Sequence, residues 1–356
     1  MNTVSEKRRV LSFDVLRVLA ALAVVVIHAS AYYAAEFPAE NYRFIVGNFF
    51  DSFARCAVPV FLMLSGALIL REEVSFSWKK MWKNILRLLL VFYFWSFLYM
   101  VYYSLIQPIQ EGKKILFSDC LSAFLKGHYH MWYIPLTISL YLVTPILKKL
   151  VSRENRLWIG WLLLLSLVFQ FSKPLLKNLT EGLPMRDSLL QDLLYRYDPE
   201  WMGIHLTYYI LGWYLTQTEI PKKYRLLLYG AGLGGLLTVM LGSYFYGRTD
   251  VHAFERFYDI GTVCVFLYSG AVFLFFYHLL PSSGNRRVNS VFEKLSALTM
   301  GIYMMHPFVL HMLNNQGRLW YAHWDIPVKV MLTFLISLFL SYLLSKIPGL
   351  KKVIHM

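Results

Sequence analysis

The chain has 356 residues, 57% apolar and only 16% charged, and its mean hydropathy is +0.48. Soluble proteins carry about 25% charged residues, so this composition excludes a soluble globular enzyme and points to an all-α, polytopic integral membrane protein. The net charge of +14 would suggest nucleic acid in a soluble chain. Here, cationic loops on one membrane face explain it, and nucleic acid is not an expected partner.

The first element follows Lys7, Arg8 and Arg9. With Ala29-Ser30-Ala31 at its end, it imitates a cleaved leader. The run 10–33 is nevertheless long enough to span and carries Asp14, Arg17 and His28, so a retained helix is expected. Nine further segments reach or approach the roughly 17–25 residues that cross a bilayer. They are 44–70, 82–106, 131–149, 156–173, 202–217, 225–246, 257–280, 294–313 and 327–347. Phe117 to Leu125 and Asp187 to Leu194 read as short amphipathic surface helices. No soluble domain, internal repeat or low-complexity tract intervenes, so one transmembrane domain over 1–356 is expected. Most Lys and Arg fall in loops on the side of the N-terminus. The positive-inside rule then gives about ten crossings with both termini in the cytoplasm. The three cysteines form no C-x-x-C or Cys/His metal spacing, and no metal is expected.

Arg17 and His28 are the most informative pair. Eleven residues at 100° each make three turns plus about 20°, so both share one helix face, about 16.5 Å apart. An arginine and an imidazole inside a membrane helix are costly and by default suggest a functional site. A snorkelling helix-end arginine plus a satisfied polar residue is the plainer reading. Helix two carries Asp51 and Arg55 at i,i+4, either an intrahelical ion pair or a site group. His128, His130, Trp132 and Tyr133 open helix four, where an aromatic belt accounts for the last two. Helix nine contains Tyr303, His306 and Pro307, and Pro307 frees backbone carbonyls at that level. Asp259 is a candidate to orient an imidazole, or a partner for Arg55 or Arg256. His28, Arg55, His130, Asp259 and His306 are expected to meet in the outer half of the bundle. Arg17, Arg71, Lys83 and Arg87 form a basic collar at the cytoplasmic end. A base with a phosphate clamp would have this layout. Intramembrane charges and a proline-broken helix also describe a secondary transporter of a small polar or anionic solute.

Five stretches resemble the acyltransferase family 3 membrane proteins. They are Ser12-Phe13-Asp14-Val15-Leu16-Arg17 running to His28; Val58-Pro59-Val60 to Ser65-Gly66; His130-Met131-Trp132-Tyr133 to Thr144-Pro145; Tyr209-Ile210-Leu211-Gly212-Trp213-Tyr214; and Gly301-Ile302-Tyr303 to His306-Pro307. The resemblance implies a ten-helix membrane acyltransferase of the bacterial inner (plasma) membrane. It would move an acyl group, usually acetyl, from acetyl-CoA or another cytoplasmic acyl-CoA to a hydroxyl of a cell-envelope glycan or lipid-linked saccharide. It further implies that His28 is catalytic, as base or as acyl carrier, with Arg17 and Asp14 as companions in the opening motif. Arg17, Arg71, Lys83 and Arg87 would bind the donor. Asn84 and lysines stand where the family's arginines are denser. Arg55, His130, Trp132, Asp259, Tyr303 and His306 would line the acceptor side.

Overall fold

The computed structural model describes residues 11–180, 203–248, 253–280, 286–317 and 321–354, and every regular element among them is helical. Helix α1 (Leu11–Glu36) runs uninterrupted for 26 residues, about 39 Å. Asp14 lies in its first turn, where a carboxylate complements the helix dipole. The next crossing is broken into α2 (Tyr42–Ala54) and α3 (Ala57–Ile69) at Arg55–Cys56. Asn41 caps α2, its side chain accepting the Arg43 N–H at 2.8 Å. Pro59 falls in the first turn of α3, where a missing N–H costs no helical bond. Helix α4 (Trp78–Met100), capped by Ser77, continues through a π-helical stretch, Val101–Ile106. The surface piece expected near Phe117 is α5 (Phe117–Lys126), with Phe117, Leu121 and Leu125 exposed along one side. One 3₁₀ turn (Tyr129–Trp132) then leads into α6 (Tyr133–Leu150).

The remaining helices are α7 (Arg156–Leu165), extended to Thr180 through a second π-helical stretch; α8 (Ile204–Gln217); α9 (Lys222–Gly247); α10 (Val263–Leu279); α11 (Arg286–Asn315); and α12 (Ala322–Ser345). The octet Asp187 to Leu194 lies outside the described residues. Each of the ten expected segments contains a helix. Seven spans among the described residues are long and apolar enough to cross a membrane: Leu11–Glu36, Tyr42–Ile69, Trp78–Gln110, Tyr129–Leu150, Arg156–Leu176, Lys222–Gly247 and Ala322–Ser345. Helix α10 is apolar but shorter, α8 has only 14 residues, and α11 is long but polar in its first turns. The full count of ten crossings therefore exceeds what length and apolarity establish.

Helix α1 packs against α2, α3, α11 and α12 and is the spine of the bundle. Helices α3 and α8 meet backbone to backbone. A Cβ added at Gly66 would sit 1.7 Å from the Tyr209 carbonyl oxygen, and one at Gly212 would sit 1.9 Å from that of Met63. Without water to drive apolar faces together, small residues that permit close approach supply the packing. Around this crossing Tyr208, Tyr209 and Trp213 are fully buried. Towards the other side, Asp325 of α12 takes the Tyr33 hydroxyl at 2.6 Å and Lys329 at 3.1 Å, and Lys329 also donates to Asn314 at 2.9 Å. This network ties α1, α11 and α12 together, each polar group partnered inside the protein.

Gly212→Ala should therefore force α8 off α3 and lower the melting temperature in detergent, by overpacking worth about 1–3 kcal/mol or more. Gly230→Ala, whose added methyl meets nothing within 4 Å, should leave the melt unchanged. Equal melts for the two variants would disprove the glycine crossing.

Candidate active site

Four elements converge on one cluster of rings: α1 with His28, the end of α4 with Tyr99, the turn before α6 with Tyr129 and His130, and α11 with Tyr303 and His306. His28 is partly buried. Its ring lies 5.1 Å from that of His306 and 5.4 Å, edge-on, from that of Tyr129, whose hydroxyl stands 3.5 Å from His28 Nδ1. Tyr129 is exposed and marks the rim of the cluster. His130 and His306 are buried, their rings 5.4 Å apart.

Pro307 orders this cluster. A proline in the body of α11 has no N–H, so the carbonyl of Tyr303, four residues earlier, loses its helical donor. His306 Nδ1 lies 2.8 Å from that oxygen and 3.2 Å from the Ile302 oxygen. Carbonyl oxygens only accept, so Nδ1 carries the hydrogen and Nε2 keeps its lone pair. That Nε2 is buried with no hydrogen-bond partner among the described residues, as is His130 Nε2. Two further bonds fix the surroundings. Tyr303 donates its hydroxyl to the His130 carbonyl, and Tyr99 donates to the Met304 carbonyl at 2.7 Å. His130 Nδ1 pairs with His128 Nδ1 at 2.9 Å, and the His128 ring stacks on Tyr99 at 4.2 Å.

The structure thus brings His28, His130, Tyr303 and His306 together. Arg55 binds Asp51 at 2.7 Å, lies 4.0 Å over the Tyr258 ring, and is still within electrostatic reach of His28. Trp132 and Asp259 lie elsewhere. Trp132 is exposed, its ring 5.9 Å from His205. Asp259 Oδ1 accepts the Gly261 N–H at 2.6 Å, closing the turn ahead of α10, and its field falls on His205. A local Asx turn engages one carboxylate oxygen, and the imidazole within its field is His205 and not one of the cluster. Among the described residues, no group of three or more His, Cys, Asp or Glu is placed to hold a metal ion.

Asp14 and Arg17 sit about 21 and 16.5 Å from His28 along α1, towards the other end of the helix. Arg17 donates to Ser296 at 3.2 Å, and the Arg71 guanidinium lies 5.0 Å over the Phe13 ring. Lys83 and Arg87, one turn apart on α4, stand on a cleft of about 830 Å³ at this end. Polar side chains step inward from there. Tyr141 lies close to Asn84 and within electrostatic reach of both Arg87 and Arg17. Tyr133 lies close to Ser65 and is also within electrostatic reach of Arg17. The Tyr133 ring is 6.2 Å from Tyr303, which borders the imidazoles. Sequence reasoning did not single out Tyr99, Tyr129 or Tyr141. Alternation in His128-Tyr129-His130 was the available signal, and an aromatic belt masked it.

Residues 10–346 match the family model of the acyltransferase 3 domain. The chain belongs to acyltransferase family 3. No curated protein and no solved structure matches it. As a membrane acyltransferase of this family it requires an acyl donor, and the match spans the imidazole cluster and the Lys83 and Arg87 side of the basic cleft, whose wall at 347–352 lies beyond it.

Nitrogen NMR of the histidine-labelled acyltransferase should find His306 with its hydrogen on Nδ1. Pro307→Ala returns an N–H to the Tyr303 carbonyl and should shift the His306 tautomer. An unchanged tautomer would separate proline from imidazole.

Proposed function

We propose that this acyltransferase transfers an acetyl group from acetyl-CoA, entering from the cytoplasm at the basic end, to a hydroxyl of a cell-envelope glycan or lipid-linked saccharide. On this reading it is a multi-pass protein of the bacterial plasma membrane, and acetyl-CoA is a co-substrate rather than a resident cofactor. What carries the proposal is the row of polar side chains joining the cationic cleft to His28 within a chain of this family. A secondary transporter would need neither a family-3 sequence nor an imidazole at the end of such a row.

His28 acts as general base. With Nδ1–H turned towards the Tyr129 hydroxyl, Nε2 keeps a lone pair for the acceptor's proton. The acceptor oxygen attacks the thioester carbonyl, a C–O bond forms, and the C–S bond breaks. The departing thiolate takes the proton back from His28, leaving the O-acyl product and free CoA. The buried lone pairs of His130 and His306 and the Arg55 guanidinium border the space for the acceptor. Arg17, Arg71, Lys83 and Arg87 attract donor phosphates through charge-assisted hydrogen bonds.

A positioned base contributes about 10²–10⁴-fold to rate. His28→Ala should therefore lower acyl transfer from acetyl-CoA by that order while keeping the wild-type melting temperature. Retention of most activity in the folded variant would reject the role.

A further inference from the structure

After α12 the chain turns back beneath the bundle. Gly349, at φ +91°, takes a left-handed conformation that glycine adopts freely, and a single 3₁₀ turn (Leu350–Val353) follows. This segment is tied down. Trp95 Nε1 donates to the Val353 carbonyl at 3.0 Å, and Arg87 Nε donates to the Lys352 carbonyl at 3.5 Å. Val353 is 4% exposed and Ile354 0%, the latter packed with Trp95, Met304 and Met305. Ile354 also lies against Gly301 of α11, where a Cβ added to the glycine would come within 3.4 Å of it.

The anchoring has a geometric result. Lys351 and Lys352 line the 830 Å³ cleft together with Lys83 and Arg87, and Lys346 completes the cationic lining. No carboxylate is among the described residues of that lining, and Leu86, Leu90, Ile347 and Pro348 give it an apolar portion. Ordinary positive-inside lysines need only water around them. Five cationic side chains line one cleft, two of them on the segment that the buried Trp95 hydrogen bond holds, and such a lining favours a multiply charged anion. The volume lies within the roughly 300–1,000 Å³ of ligand sites, and mixed apolar and cationic walls suit a nucleotide with several phosphates.

We propose that the returned C-terminal segment is the second jaw of a polyphosphate clamp, Lys351 and Lys352 facing Lys83 and Arg87, and that it holds the phosphorylated nucleotide end of the donor. This rests on the acyl-CoA reading above. An anionic lipid headgroup offers the same phosphate chemistry, so the test separates the two.

The full-length protein in zwitterionic detergent is titrated calorimetrically with CoA and with CoA lacking its 3′-phosphate. Loss of charge-assisted contacts predicts that Lys351→Ala/Lys352→Ala weakens CoA by about 10–100-fold. Lys351→Arg/Lys352→Arg should restore binding. Trp95→Phe, which removes the tether's donor while keeping an aromatic ring in the core, should weaken it by a smaller factor. The preference for CoA over its 3′-dephospho form should shrink in the alanine variant. If that variant binds CoA as the wild type does while losing retention in phosphatidylglycerol nanodiscs, the cleft serves lipid and the clamp is overturned, the donor reading standing. If the wild type binds no CoA, both fall. Rescue by arginine distinguishes lost charge from a disturbed fold.

Discussion

The bundle interior offers no water to a backbone carbonyl that has lost its helical partner, so a proline in the middle of α11 creates a demand the protein must meet from its own side chains. His306 meets it at Tyr303. Through that one hydrogen bond the helix continues past Pro307, the imidazole is held in one tautomer, and its second nitrogen is left facing inward without a proton. Tyr303 spends its hydroxyl on His130, and the rings stand in sequence up to His28. The chemistry suggested for His28 depends on neighbours already fixed before any substrate arrives.

Much of this was legible in the residues. The ten apolar segments each contain a helix, because an apolar run of that length has no other stable form in lipid. The meeting of His28, His130 and His306 followed from depth alone: alternating direction places each near the same level. Depth does not report lateral position, however. Asp259 lies at the right end of the molecule, yet Gly261 two residues later claims its carboxylate. Nor do tyrosines announce themselves in a membrane sequence. Tyr141 looks like any interfacial aromatic until Asn84 and two arginines are seen around it. The Gly66–Gly212 crossing was equally hidden, since a glycine in an apolar run gives no hint of whose backbone it will meet.

The two ends of the molecule are joined by α1, which carries Arg17 near one and His28 near the other. Along this rigid 26-residue rod their separation cannot change without melting the helix. Any rearrangement that admits substrate must come from elements beside α1, such as the π-helical stretches after α4 and α7, where the hydrogen-bond register is already loosened.

Arg55 reaches towards the imidazoles with Asp51 bound to it at 2.7 Å and the Tyr258 ring beneath. As an ion pair the two opposite charges offset each other, so the field beyond them decays faster with distance than that of a lone cation. On the acceptor reading proposed above, the hydroxyls that approach His28 from this side meet that gradient.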